Sequence, residues 1–225
     1  MNPAVALRTL AVVLEEPQRL SLDRLDLTPP GADDLVVDIE YSGISTGTER
    51  LLWSGKMPPF PGMGYPLVPG YESVGRVVDA GTGAAGRIGE RVFVPGANCF
   101  GAVRGLFGGA ASRLVVPSRR VVTVDETLGE QAVLLALAAT AQHAIAVAKG
   151  GVPELVIGHG VLGRLLGRLA AIQGGPVTVW ELDATRRGGA LGYTVCDPAD
   201  DKRTDYAVIC DVSGDSSILD TLIPR

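Results

Sequence analysis

The sequence predicts an α/β chain in two parts, a β-rich first half followed by a parallel, doubly wound sheet. Three observations carry that prediction. Short apolar runs cut by Gly and Pro fill the chain to about residue 124; residues 154–168 read as strand, glycine turn and helix without a break; and strands alternate with helices from there on. The domains are expected at 1–127 and 128–225.

In the first half, strands are expected at 9–14, 34–42, 73–80, 91–94, 112–116 and 121–123, each a short β-branched or alternating run bounded by turn residues. The loop 53–66 holds four prolines together with Trp53, Met57, Phe60 and Met63, more apolar surface than a solvent-facing linker needs. With Phe100 and Phe107 these side chains make a candidate apolar platform, and packing beneath the loop explains them equally well. Residues 128–148 are expected as a helix leading into the second half.

There, Leu155, Val156 and Ile157 form a buried-strand run, followed at once by Gly158-x-Gly160-x-x-Gly163 and by Leu162, Leu165, Leu166, Leu169 and Ala170 at helical spacing. This is a dinucleotide-binding signature. Gly158 makes the tight turn, Gly160 admits a pyrophosphate to the backbone, and Gly163 lets helix pack on strand. Val161 and Leu162 open the helix, whose N–H groups and positive dipole end suit phosphate. A second strand, 176–181, ends at Glu181, about 20 residues past the glycines, where a carboxylate takes the ribose 2′-hydroxyl. That selects NAD, although Arg186 and Arg187 just beyond keep NADP open. Further strands are expected at 194–196 and 207–211, with Ser213 beyond the latter counted among the cofactor-binding residues, and a helix at 216–222. A complete sheet of this kind has six strands in two halves, and about four follow Pro153, so the expectation is a Rossmann domain lacking its C-terminal half.

Composition excludes several classes. With 225 residues, 46% of them hydrophobic and 20% charged, and a net charge of −5, the chain suits globular packing and carries no basic stripe for nucleic acid. The first residues lack a charged region followed by a long apolar core, and the reading is that no 18-residue apolar run occurs anywhere, so neither a signal peptide nor a transmembrane segment is expected and the location is expected to be cytoplasmic. Cys99, Cys196 and Cys210 are too few and too far apart for a disulfide framework or a CxxC metal knuckle, and two histidines cannot make a His-rich metal site. Of these, His143 is expected as a core histidine.

Two segments of the first half carry a family likeness. Pro69-Gly70-Tyr71-Glu72-Ser73-Val74-Gly75-Arg76-Val77-Val78 resembles the Gly-His-Glu-x-x-Gly-x-Val segment of the medium-chain dehydrogenase/reductase superfamily, and Gly43-Ile44-Ser45-Thr46-Gly47-Thr48-Glu49 resembles its Gly-Ile-Cys-x-x-Asp segment. The resemblance implies a GroES-like β-rich catalytic domain ahead of the NAD-binding Rossmann domain. Zinc-dependent members take a Cys and a His from these segments. Here the matching positions are Ser45 and Tyr71, the region 135–141 is apolar, and Cys99 stands alone where a structural zinc lobe needs four cysteines, so no metal is expected. In a zinc-free centre the hydroxyls of Tyr71, Ser45 and Thr48 are the groups left to handle the alcohol proton, with Glu72 orienting or deprotonating one of them. The alternative is that Ser45 and Tyr71 are packing relics.

Within the superfamily, residues 53–73 and 100–111 resemble the bacteriochlorophyll-synthesis dehydrogenases of purple phototrophs. That implies a bacteriochlorophyllide-type substrate whose 3-(1-hydroxyethyl) group is oxidised to acetyl with NAD, and leaves a homodimer open. Two other readings stand beside it: a zinc-free NADPH enoyl or quinone reductase, and a catalytically inactive nucleotide- or pigment-binding protein.

Overall fold

The computed structural model describes residues 7–215 and 217–223. The chain divides into two compact units, Met1–Ala136 and Leu137–Arg225. The division falls beyond the expected 127/128 because Ala132, Val133, Leu135 and Ala136 pack on Val74 and Phe93 of the first unit.

The first unit is built on two sheets. β1 (Arg8–Glu16) pairs with β2 (Arg19–Asp26) in a hairpin and with the short β4 (Leu67–Val68), which adds β7 (Arg104–Gly105), giving the order β2-β1-β4-β7. The other sheet runs β8-β3-β5-β6-β9, from β3 (Asp34–Ser42), β5 (Ser73–Ala80), β6 (Arg91–Val94), β8 (Arg113–Pro117) and β9 (Val122–Thr123). Leu35, Val36 and Val37 are buried in succession, so β3 is covered on both faces, and they join Val77, Val92, Val94, Leu114 and Val116 in one core. Each such side chain removed from water contributes roughly 1.5–3 kcal/mol.

β2 was not among the expected strands. Of its three leucines, Leu20 and Leu22 are exposed and Leu25 packs on the main core, so β2 forms chiefly through backbone pairing with β1. The short helix α1 (Thr48–Ser54) was also not expected. No side chain caps its start, and it ends on left-handed Gly55.

One pairing positions the first candidate site. β3 and β5 run antiparallel with Ser42 opposite Ser73, so the segment leaving β3, Gly43–Glu49, lies beside the segment entering β5, Tyr71–Glu72. The Gly43 N–H donates to the Glu72 carbonyl at 2.8 Å and locks the two together.

Between the units, the helix expected at 128–148 forms as a 3₁₀ segment, Glu126–Leu134, and α2 (Leu135–Val147); Gly129 interrupts the first with a positive φ of 50°. Glu126–Val147 is long and apolar enough to cross a membrane by length and composition, which corrects the reading that the sequence has no such stretch. Its alternation of Leu with Ala spreads apolarity all round the helix, and only a small share of the segment is buried. His143, expected in a core, lies exposed on α2.

The second unit has a parallel sheet in the order β12-β11-β10-β13, from β10 (Leu155–Ile157), β11 (Thr178–Trp180), β12 (Thr194–Cys196) and β13 (Ile209–Asp211). α3 (Val161–Ile172) covers one face through Leu166 and Ala170, packed with Val156 and Val179. α4 (Leu219–Leu222) is shorter than the helix expected at 216–222, and Ser216 lies outside the described residues. Because Ile157 is opposite both Trp180 and Asp211, the residues following β10, β11 and β13 emerge side by side at the carboxyl ends of the strands. β10 is where strand order reverses, the place at which such sheets bind ligands.

Candidate functional site

In the first unit, three of the four expected catalytic residues meet. The Tyr71 hydroxyl donates to Ser45 Oγ at 2.6 Å, and Thr48 Oγ1 lies 3.3 Å from the Tyr71 oxygen. A phenol has one proton, so with Tyr71 donating to Ser45, Thr48 is the donor to Tyr71. The chain of donation therefore runs Thr48 to Tyr71 to Ser45, and the Ser45 proton is the one left over. Ser45 lines a largely apolar cavity of about 450 Å³ with Leu14, Leu20, Glu49, Arg50 and Trp53. A larger cavity, about 540 Å³, lies between Asp33, Arg87 and Ser118 and contains none of these groups.

Glu72 does not join the hydroxyls. It is buried, its Oε1 has no hydrogen-bond partner among the described residues, and a Cβ on Gly43 would collide with its Oε2. Burial pushes its carboxyl above the usual range. Glu49, which the sequence reading did not single out although it closes the quoted segment, shares the condition. Its Oε2 is also buried without a partner among the described residues, and its carboxyl is pushed up to about 7 by burial, drawn down by a hydrogen bond from the Ser45 backbone and raised again by the charge of Glu72.

The apolar platform is smaller than expected. Phe100 belongs to the main core, and Met57 and Met63 pack against Leu14, Leu52 and Leu67. Trp53, Phe60 and Phe107 stay exposed, and Phe107 meets the Tyr71 ring edge-on with centroids 5.5 Å apart. Cys99 is buried, its thiol pushed up to about 11.

In the second unit the glycine turn has the shape its spacing implies. Gly158 sits at φ 98°, and a Cβ on Gly163 would run into the Gly158 carbonyl, so helix and turn touch where only glycine fits. A Cβ on Gly160 would point into open space at the N-terminus of α3, where no side chain caps the helix and the first N–H groups, those of Val161, Leu162 and Gly163, face outward. A cavity of about 260 Å³ opens here, lined by Gly158, Gly160, Glu181, Arg186, Ser213 and Ile218.

The Glu181 carboxylate accepts the His159 N–H at Oε2 and the Asp183 N–H at Oε1, both at 2.9 Å. These two bonds fix it at the mouth of the cavity while leaving lone pairs for a ligand hydroxyl. Ser213 bonds back to Asp211 through both its N–H and its hydroxyl. The two arginines diverge: Arg187 turns away to the Glu181 carbonyl and the Asp197 carboxylate, whereas Arg186 keeps an exposed side chain with Asp183 3.5 Å off. An open cradle at a helix N-terminus, a fixed carboxylate and a lining hydroxyl fit a dinucleotide.

His159, between the first two glycines, is the residue of this unit that sequence reasoning missed. It is almost wholly buried, and burial lowers its pKa. No spacing rule announces it, because its partners lie 27 and 34 residues away.

Residues 31–126 match the family model of the alcohol dehydrogenase GroES-like domain. A 2-desacetyl-2-hydroxyethyl bacteriochlorophyllide A dehydrogenase of Rhodobacter capsulatus is 55% identical over 97% of this chain and 70% of its own length, and one of Cereibacter sphaeroides is 54% identical over 97% and 71%. Among solved structures, a zinc-binding dehydrogenase of Sinorhizobium meliloti bound to NADP has the same fold, with a TM-score of 0.74 at 24% identity over 93% of this chain and 71% of that one.

Proposed function

The chain belongs to the medium-chain alcohol dehydrogenase family with a GroES-like domain, and from that premise we propose that it oxidises the 3-(1-hydroxyethyl) group of a bacteriochlorophyllide to acetyl, with NAD and without zinc. The observation that carries the substrate is the 55% identity to a dehydrogenase named for that pigment over nearly the whole chain.

The residues supply a proton path. Ser45, whose proton is not spent within the cluster, hydrogen-bonds the substrate alcohol, and as the chain reverses its donation the alcohol proton passes to Ser45, that of Ser45 to Tyr71, that of Tyr71 to Thr48, and that of the half-buried Thr48 to solvent. Bound at the glycine turn, NAD supplies the hydride acceptor. The α3 N-terminus holds its phosphates, and Glu181 holds a ribose hydroxyl and disfavours a 2′-phosphate by like charge. Trp53, Phe60 and Phe107 offer apolar surface to a flat macrocycle.

The donors do not fit zinc. All three are neutral hydroxyls, and at 2.6 Å the Tyr71 and Ser45 oxygens are too close together for a tetrahedral ion with metal–oxygen bonds of about 2.0–2.2 Å to sit between them. The cytoplasmic location and a homodimer read from the sequence belong to the same proposal.

Absorbance of NADH at its nicotinamide band, followed with a 3-(1-hydroxyethyl) bacteriochlorophyllide, tests it. Reduction of NAD with matching appearance of the acetyl pigment is expected. Turnover of enones or quinones with NADPH and none of the chlorin would select the reductase reading instead.

A further inference from the structure

We propose that His159 is a positioning residue for coenzyme choice: one buried residue ties the glycine turn to the loop after Glu181, its backbone on the carboxylate and its ring on the loop, and so sets where a carboxylate and a guanidinium stand around the ribose. The inference rests on reading the second unit as a dinucleotide site.

Every polar atom of His159 is committed. Its N–H donates to Glu181 Oε2 at 2.9 Å, and its carbonyl accepts from Arg164 Nε at 3.2 Å. Its Nδ1 lies 2.7 Å from the Arg186 carbonyl, and its Nε2 lies 2.8 Å from the Tyr193 hydroxyl. The Arg186 carbonyl can only accept, so Nδ1 carries the proton; in the neutral ring Nε2 is then the acceptor, and Tyr193 donates to it. The tautomer follows from the partners.

Arg164 completes the clamp. Its Nη2 shares the Arg186 carbonyl at 2.7 Å, and its Nη1 takes the Gly188 carbonyl at 2.8 Å. The loop is thus held by its backbone carbonyls, which leaves the Arg186 side chain outward at the rim of the cavity that Glu181 also lines. Arg187 is occupied on Asp197. Of the loop's two arginines, only Arg186 lines that cavity and can meet a 2′-phosphate.

The consequence concerns two opposed preferences. Glu181 favours a free 2′-hydroxyl, and a cation beside it favours a 2′-phosphate. His159 holds the first through its backbone and the loop bearing the second through its ring. The backbone N–H groups of His159 and Asp183 fix the carboxylate, and while the ring is in place the loop is held with its guanidinium outward, a setting for NAD. Once the ring's bonds are lost, only Arg164 of the clamp still grips the Arg186 and Gly188 carbonyls, so residues 184–189 loosen, Arg186 can reach the ribose, and discrimination against NADP falls. The site is dry enough that no water replaces the lost bonds at no cost, since His159 is 1% exposed.

Calorimetric titration of the whole chain with NADH and with NADPH, together with amide hydrogen exchange of the coenzyme-free protein, tests the proposal on His159→Phe and Tyr193→Phe. The wild type is expected to prefer NADH. His159→Phe should cut that preference about tenfold and Tyr193→Phe roughly threefold, the size of losing two hydrogen bonds and one. Exchange across residues 184–189 should quicken in both. If His159→Phe does not fold, Tyr193→Phe decides alone. Faster exchange with an unchanged NADH:NADPH ratio would overturn the proposal, leaving the clamp purely structural. A wild type that binds neither nucleotide would instead overturn the dinucleotide reading, and this inference with it.

Discussion

Replacing Glu49 with Gln should stabilise the first unit at pH 8 and leave it nearly unchanged at pH 4.5. The half-buried carboxyl titrates near 7 rather than at its ordinary 4.5, chiefly because burial penalises the charged form. Folded protein therefore binds the Glu49 proton more tightly than unfolded chain does. The stabilisation from the protonated acid is complete below 4.5, declines as pH rises from 4.5 towards 7, and is gone above 7. Unscreened, that shift corresponds to roughly 3 kcal/mol. Solvent screening of the exposed part of the side chain brings the expected gain at pH 8 to about 1–2 kcal/mol. Gln keeps the shape of the neutral acid and cannot ionise, so it removes the pH dependence. In thermal melts of a chain this size the gain appears as a rise of roughly 2–8 °C at pH 8. Glu72 is raised by burial in the same direction, and because its charge also raises Glu49, removing the Glu49 carboxylate relieves Glu72 as well and adds to the gain at pH 8. An equal difference between variant and wild type at pH 4.5 and pH 8 would refute the reasoning, since no titrating group would then separate them.

Four further outcomes are expected. Tyr71→Phe breaks the link between Thr48 and Ser45, so turnover should fall about 10²-fold while calorimetric NADH affinity holds; loss of NADH binding instead would place Tyr71 in coenzyme binding. Gly163→Ala drives a methyl into the Gly158 carbonyl and should destabilise the second unit by roughly 1–3 kcal/mol in a urea melt, with NADH binding lost in parallel. Because burial lowers the His159 pKa below its ordinary 6.5, the second unit should hold its full stability above pH 6.5 and lose it as pH falls further; a His159→Phe variant with the same acid limb would contradict this. Finally, dialysis against a chelator should leave alcohol oxidation intact, and a tightly held equivalent of zinc lost together with activity would overturn the hydroxyl mechanism.

What could be read from the sequence follows the range of the forces involved. The strand, turn and helix of 155–172 were legible because apolar period and glycine spacing are local and agree. β2 was not, because Leu20 and Leu22 gain little burial and the strand's existence depends on β1. The kink at Gly129 was hidden for the opposite reason: a single glycine in an apolar run costs a helix little enough that pattern alone does not reveal a break. At the first site, Ser45, Thr48 and Tyr71 were named through family likeness, and their meeting depends on the Ser42–Ser73 register, which no spacing encodes. Glu72 was expected with them, yet its side chain is buried against Gly43 instead. His159 was visible only as an unspecified position between two glycines, since its partners arrive from a loop with no period at all.

The chain's two tryptophans fall one to a unit, in contrasting surroundings. Trp53 is 38% exposed beside the apolar cavity, whereas Trp180 is 2% exposed, its indole N–H bonded to Asp201 at 2.7 Å, one residue before Glu181. Solvent relaxation shifts the emission of the first to the red, and the rigid surroundings of the second keep it blue. At the proposed sites, a macrocycle settling beside Trp53 would quench the red band, and a reduced nicotinamide nucleotide entering the glycine-turn cavity would absorb from the blue one. One unlabelled emission spectrum therefore resolves pigment loading from coenzyme loading, and the order in which the bands fade during mixing reports the order of binding.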